Sequence, residues 1–259
     1  MTEIDPRAAV SPSAKLGRNV RVGAFAVIGD DVELGDDSIV HPQAVITGPS
    51  RFGRANVFFP GCVVGGAPQD LKYHGEPTRL EVGDENEFRE YCTVHRGTPQ
   101  GTGVTRLGSH GLFMAYCHVA HDCVVGDRVI LVNAATLGGH VTIEDDATLG
   151  AFCPVHQFCR IGRYAYIAAH TVITQDVPPF AKVVAPRETR CYGVNAVGLE
   201  RHGFSRERIA AIEQAYRLLL RSKLNTTQAV AKMKETLGGS PDVEELLRFI
   251  EAAERGITK

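Results

Sequence analysis

From Ile4 to Val64, and again from Leu107 to Ile173, every sixth residue is apolar: 11 slots and then 12, with no exception. In a chain that is 44% hydrophobic, chance fills such a preset frame on the order of 10⁻⁸ of the time, so the period belongs to the fold. A six-residue period matches neither the turn of an α-helix nor the alternation of a two-faced strand. It matches a parallel β-helix, in which each hexad makes one short flat side and three hexads close one coil.

The remaining slots agree. The residue after the apolar one is glycine at positions 17, 23, 29, 35, 53, 65, 83, 108, 126, 138, 150 and 162, which reads as the bend between flat sides. Three residues beyond that, the chain is mostly small, as at Ala14, Ala26, Ser38, Ala44, Ala135 and Ala147. One large and one small inward position per hexad fill a narrow prism. Cys62, Cys92, Cys117, Cys123, Cys153 and Cys159 all occupy the small slot. They therefore read as buried small hydrophobes, not as a disulfide framework, a metal set or nucleophiles. Val82, Phe88 and Val94 supply one more coil between two interruptions, 66–81 and 95–106. Roughly nine coils at about 4.8 Å each predict a rod about 40 Å long.

Pro178 and Pro179 are expected to end the repeat, because proline cannot continue a β ladder. An irregular stretch through Asn195 should then lead to three helices, starting at Ser205, at Thr226 or Thr227, and at Ser240 with Pro241. The chain so divides into a mainly β parallel β-helix over residues 1–190 and a C-terminal helical cap over 191–259. A net charge of −2 gives no case for nucleic acid or an anionic membrane surface as partner. No apolar run approaches a membrane span, and Met1 to Pro6 does not read as a signal peptide, so a cytoplasmic protein is expected.

A β-helix turns sequence into columns, since residues 18 apart in one frame stack along the axis. Starting from His121, this arithmetic reaches Gly139 with His140 beside it, then Gln157 with His156 beside it. His118 and Asp122 flank the first member. None of these occupies an inward slot, so the column reads as a functional groove. His121 beside Asp122 offers a base near neutral pH with a carboxylate to orient it. An exposed glycine amide one coil on could donate to a developing oxyanion. That set suits acyl transfer from a thioester to a hydroxyl without a covalent intermediate, and the chain carries no G-x-S-x-G elbow. It also lacks a P-loop or a dinucleotide-binding glycine run.

Several strings are more specific than the repeat: 69–73 (QDLKY), 75–78 (GEPT), 94–97 (VHRG), 118–123 (HVAHDC), 135–140 (ATLGGH), 155–158 (VHQF), 175–179 (QDVPP) and 203–206 (GFSR). Through them the chain resembles the UDP-N-acetylglucosamine acyltransferases over essentially its whole length. The resemblance implies a left-handed coil and a homotrimer of parallel rods with sites between neighbours. It implies transfer of a 3-hydroxyacyl chain from acyl carrier protein to the sugar 3-hydroxyl, the first step of lipid A synthesis, with no cofactor and no metal. By motif, it makes His121 the general base, Asp122 its companion and Gly139 the oxyanion amide. Gln69, Asp70, Lys72, His118, His140, His156 and Gln157 become sugar-nucleotide contacts. Asn195 and Arg201 become nucleotide-side positions, with Arg201 at the diphosphate. Glu200-Arg201-His202 stands where the family often has a more basic run.

Other readings predict different chemistry. A related enzyme of this repeat type could acylate a 3-amino sugar nucleotide. A zinc-dependent β-helical hydratase of the carbonic anhydrase type would use His118 and His121, with His95, His140 or His156 as a third ligand. A scaffold rod without activity would have no need of His121 beside Asp122 on an outward column.

Overall fold

The computed structural model describes residues 1–184, 190–254 and 256–258. Among the described residues the chain forms three sheets, of 11, 8 and 8 strands, all parallel except for one antiparallel strand at the end of the first, wound as one left-handed coil. Most strands are two residues long, the second pointing inward and the first outward. The first face carries Glu3–Ile4, Arg21–Val22, Ile39–Val40 and their successors up to Tyr166–Ile167. The second runs from Ala9–Val10 to Pro154–Val155, and the third from Lys15–Leu16 to Arg160–Ile161. Strand pairing follows the 18-residue step wherever the coil is uninterrupted, as in His118↔Thr136 and Thr136↔Pro154.

The apolar slots fill the prism. Phe58, Phe88 and Phe113 stack on successive coils at 5.2 and 5.0 Å between ring centres. Beside them, Cys62, Cys92 and Cys117 are fully buried. Ile4 remains half exposed because it belongs to the terminal coil. Asn56 and Asn86 also lie in the small slot, and they are satisfied there: Asn86 Nδ2 donates to Asn56 Oδ1 at 3.0 Å and to the Gly108 carbonyl at 3.0 Å.

The glycines have a different cause from the one expected. The bend residue in the left-handed region lies two positions after the glycine slot, and it is filled by Asn19, Asp31 or Asp37, but also by Phe25, Tyr91, Tyr116 and Phe158, at φ between 54° and 66°. Most glycines of the repeat have ordinary φ. They are glycine because successive coils approach too closely: a Cβ on Gly35 would lie 2.4 Å from the Gly53 carbonyl. Non-glycine residues at positive φ cost about 1–2 kcal/mol each. Ring stacking between successive bends, as in Tyr91 on Tyr116 at 5.2 Å, offsets part of that cost.

The repeat also runs past the two prolines. Pro178 and Pro179 occupy a bend, where no ladder hydrogen bond is needed, and Ala181–Val184 rejoins the first face by pairing with Tyr166–Ile167. The stretch expected to be irregular continues as an antiparallel strand, Arg190–Val194, on that same sheet. Among the described residues four helices follow rather than three: α1 (Ala196–Arg201), α2 (Arg206–Leu220), α3 (Thr226–Leu237) and α4 (Pro241–Glu251). α1 is too short to show periodicity; it is capped by Asn195, whose side chain accepts from the Gly198 amide. Ser205 caps α2, and Asn225 caps α3 with a capping box closed by Gln228. Leu199, Ile212, Tyr216 and Leu246 join the rod's core over its end, and the Tyr216 hydroxyl donates to the Pro179 carbonyl. Arg208 and Asp242 tie α2 to α4, and Arg163 with Glu245 ties α4 to the rod. No helix is long and apolar enough to cross a membrane among the described residues.

Candidate active site

Both interruptions leave the coil at the edge between the second and third faces, the edge that also carries His121, Asp122, His140 and Phe158. The first interruption is braced by the second: Arg96 donates to the Gly65 carbonyl at 2.6 Å and to the Tyr73 hydroxyl at 3.3 Å. Two polar loops thus stand beside the imidazole column.

His121 Nδ1 lies 2.9 Å from Asp122 Oδ2. The Asp122 side chain is fully excluded from solvent. Burial alone pushes its carboxyl up, but the Thr98 hydroxyl, His121 and the Thr98 amide outweigh that and hold it below the usual range. An anionic carboxylate can only accept, so His121 carries its proton on Nδ1 and presents Nε2 as a lone pair. The His121 ring lies over Gly139: a Cβ there would come within 2.8 Å of Nε2, which is why the position is glycine. The Gly139 N–H has no acceptor among the described residues. A base nitrogen and an unengaged amide are therefore neighbours, the arrangement that addition to a carbonyl requires.

His140 stands on the other side, with its ring stacked on Phe158 at 4.5 Å and edge-on to His121 at 5.2 Å. Burial lowers its pKa, against the opposing charges of Asp122 and Asp70, so Asp70 reaches this site electrostatically. Lys72 is exposed, and its amide closes a turn on Asp70 Oδ1 at 3.0 Å; Gln69 is exposed on the same loop. His156 and Gln157 are both exposed one coil on, with His156 Nδ1 donating to the Gln157 carbonyl at 3.0 Å. His118 sits on the second face rather than at the edge, and its Nδ1 is engaged by the Thr93 hydroxyl at 2.8 Å. Burial and the nearby His121 lower its pKa.

Asn195 and Arg201 are not brought to this edge. The Asn195 amide reaches the Tyr164 carbonyl at 3.3 Å, and His202, next to Arg201, lies 3.7 Å from Asp146. Tyr164 and Asp146 form the edge between the third and first faces. Asp146 is the next bend along the chain from His140, so the two groups stand at similar heights on different edges of one rod.

The histidine set of the hydratase reading is not assembled. The described groups whose ligand atoms converge are His121, Asp122 and His140, without His118, His95 or His156. Asp122 already accepts from four donors: the Thr98 amide, the Thr98 hydroxyl, the Thr102 amide and His121. A carboxylate has about four lone-pair sites, so none is left for a cation.

Phe158 lies 18 residues beyond His140, on the column, whereas Thr98, Thr102 and Thr93 escaped the column arithmetic, as did the burial of His95. The interruptions lengthen their coils, so Thr93 pairs with His118 across 25 residues and Thr98 meets Asp122 across 24. No fixed period finds such partners. His95 packs edge-on against His118 at 4.8 Å, is 6% exposed, and its Nδ1 has no hydrogen-bond partner among the described residues. Burial, aided by His118 and His121, lowers its pKa from 6.5 to about 4. Between those values the unfolded chain binds a proton that the folded chain refuses, so folding stability rises with pH across this window. The stabilisation is complete above the unfolded value and decays as pH falls toward the folded one, by roughly 3 kcal/mol for this group. His95→Gln should flatten the decline in unfolding midpoint over that window, leaving what is due to His118 and His140. Equal slopes for the two proteins would refute it.

Comparison with known proteins shows the family to which the chain belongs. The family model for the second domain of UDP N-acetylglucosamine O-acyltransferase matches residues 176–258, and that for bacterial transferase hexapeptide repeats matches 13–48. The chain is 48% identical over 259 residues to the acyl-[acyl-carrier-protein]--UDP-N-acetylglucosamine O-acyltransferase of Halorhodospira halophila, covering 100% of both. It is 49% identical to that of Alkalilimnicola ehrlichii, again covering 100% of both. The solved UDP-N-acetylglucosamine acyltransferase of Bacteroides fragilis superposes with a TM-score of 0.95 at 40% identity, over 99% of this chain and 100% of that one.

Proposed function

Because the chain belongs to the UDP-N-acetylglucosamine O-acyltransferase family, we propose that it moves a 3-hydroxyacyl chain from acyl carrier protein to the 3-hydroxyl of UDP-N-acetylglucosamine, the first step of lipid A biosynthesis. The observation that carries this reading is the oriented His121 imidazole lying over the Gly139 amide. His121 Nε2 takes the proton of the sugar hydroxyl as its oxygen attacks the thioester carbonyl carbon, and the Gly139 N–H donates to the developing oxyanion. When the tetrahedral species collapses, the C–S bond breaks and His121 returns the proton to the departing thiolate. No cofactor takes part. Direct transfer is supported by the cysteines: all seven are buried, and burial pushes the Cys62, Cys117 and Cys123 thiols up to about 12. Asp70, His140 and Gln157 line the same edge as the base, with Gln69, Lys72, His118 and His156 beside them, and these bind the sugar nucleotide.

The reading includes a homotrimer. Outward residues of the third face pair among themselves, as Lys15 with Glu33 at 2.8 Å and Arg106 with Glu81 at 3.1 Å, and such a face suits water. The outward positions of the first and second faces include Ile39, Val57, Leu112, Ile130, Val27, Val45 and Val63. The edge they share carries Phe25, Tyr91, Tyr116 and Phe152, each more than half exposed. Contiguous apolar surface of this kind favours a partner. Three rods meeting along that edge cover both apolar faces and leave the charged one outside. The second face of one rod then meets the first face of the next, so Asn195 and Arg201 reach the base of a neighbouring copy. None of the seven cysteines is in a disulfide, which supports a reducing, cytoplasmic setting.

The test is thiol release from hydroxyacyl carrier proteins of several lengths. It is expected with UDP-N-acetylglucosamine; release only with a 3-amino analogue, or none at all, would overturn the reading. Arg201→Ala is expected to raise KM for the sugar nucleotide more than it lowers kcat, since a phosphate contact is made alike in ground and transition states, while particle mass stays at three chains. An unchanged KM removes Arg201 from the site, and a one-chain mass removes the trimer.

A further inference from the structure

We propose that Thr98 is a positioning residue for the base, and that the second interruption of the coil serves to roof and tune Asp122; this rests on the reading of His121 as general base. Most regular hexads leave the bend residue open to water, as at Asn19, Phe25, Tyr91 and Arg128. At Asp122 the inserted segment covers the bend instead. Thr98, itself fully buried, gives two donors: its amide reaches both carboxylate oxygens at 3.1 and 3.0 Å, and its hydroxyl reaches Oδ2 at 2.6 Å. The Thr102 amide adds a donor to Oδ1 at 3.1 Å. Between them Gly101 presses so close that a Cβ would lie 2.4 Å from the carboxyl carbon. From below, the Thr105 hydroxyl accepts the Asp122 amide at 2.8 Å and fixes the left-handed bend.

The oxygen taken by the Thr98 hydroxyl is Oδ2, the same oxygen that receives the His121 Nδ1 proton. Oδ2 thus has three donors, the Thr98 hydroxyl and amide and the imidazole, of which the hydroxyl is the nearest. A hydroxyl drawing on Oδ2 weakens its pull on the imidazole, so imidazolium is less favoured and Nε2 keeps its lone pair. Removing the hydroxyl strengthens that pull or lets Asp122 take a proton. Either way, more of the enzyme loses its working base as pH falls, and the acid limb of the rate profile moves to higher pH.

Thr98→Val keeps shape and backbone amide but loses the hydroxyl; Thr98→Ser keeps the hydroxyl. The measurement is kcat and KM for the sugar nucleotide across pH, with thermal unfolding to certify the fold. Thr98→Val should lower kcat at neutral pH by about tenfold, the order expected for one charge-assisted hydrogen bond. KM should stay within about twofold and the acid limb should shift upward, while Thr98→Ser follows the parent protein. If Thr98→Val does not fold, Thr98→Ala, which adds no bulk, is held to the same outcomes. A folded variant with the parent's kcat and profile, or an equal loss in Val and Ser variants with an unmoved limb, would overturn the proposal. Near-normal turnover in His121→Ala would instead overturn the underlying reading, so the two failures are distinguishable.

Discussion

Replacing His121 by alanine is expected to lower turnover by about 10²- to 10⁴-fold or more, the usual cost of losing a general base. The assembly and sugar-nucleotide binding should persist, because the ring is a partly exposed edge group and not part of the prism core. Calorimetric titration with UDP-N-acetylglucosamine and a mass measurement separate this outcome from misfolding. Asp122 remains held by Thr98 and Thr102 without the imidazole, so the vacancy should not spread. Direct transfer also requires that parent protein incubated with acylated carrier alone, then weighed intact, carries no added acyl group. A stable adduct, or a His121→Ala variant with near-normal rate, would defeat the mechanism.

The second large effect is on folding. Leu131 is fully buried in the middle of the rod, in a column whose neighbours include Phe113 and Leu149. Leu131→Asp puts a carboxylate where no donor or cation can reach it, at a cost of several kcal/mol, a large share of the roughly 5–15 kcal/mol that holds an ordinary domain folded. Each coil rests on the next, so the loss should propagate along the rod. The variant is expected to lack the parent's cooperative thermal transition by circular dichroism. A variant that melts within a few degrees of the parent would show that the prism tolerates an internal charge.

The periodic parts of the molecule were readable because periodicity survives in one dimension. The six-residue step gave the inward slots, the buried cysteines and, by counting 18, the neighbourhood of His121, Gly139 and Gln157. Where the explanation of a slot depended on a neighbouring coil, reading went astray. The repeat glycines look like bends in sequence, yet they yield to the backbone of the coil above, and Phe25 and Asp122 take the left-handed bend instead. The prolines at 178 and 179 look like a stop, yet they fit a bend and the sheet continues at Ala181.

The sequence by itself determined the coil, its inward and outward residues, and the column on which the imidazoles stand, because each follows from a fixed spacing. Only the tertiary structure decided what makes that column chemically coherent. Thr98 and Thr102 reach Asp122 across an interruption whose length no period encodes, and they hold a buried carboxylate charged. Asn195 and Arg201 fall on a different edge of the same rod, because three hexads close a triangle and every third bend returns to the same edge. A spacing along the chain fixes height and edge; which side chains then meet is settled by the loops that leave the coil and fold back onto it.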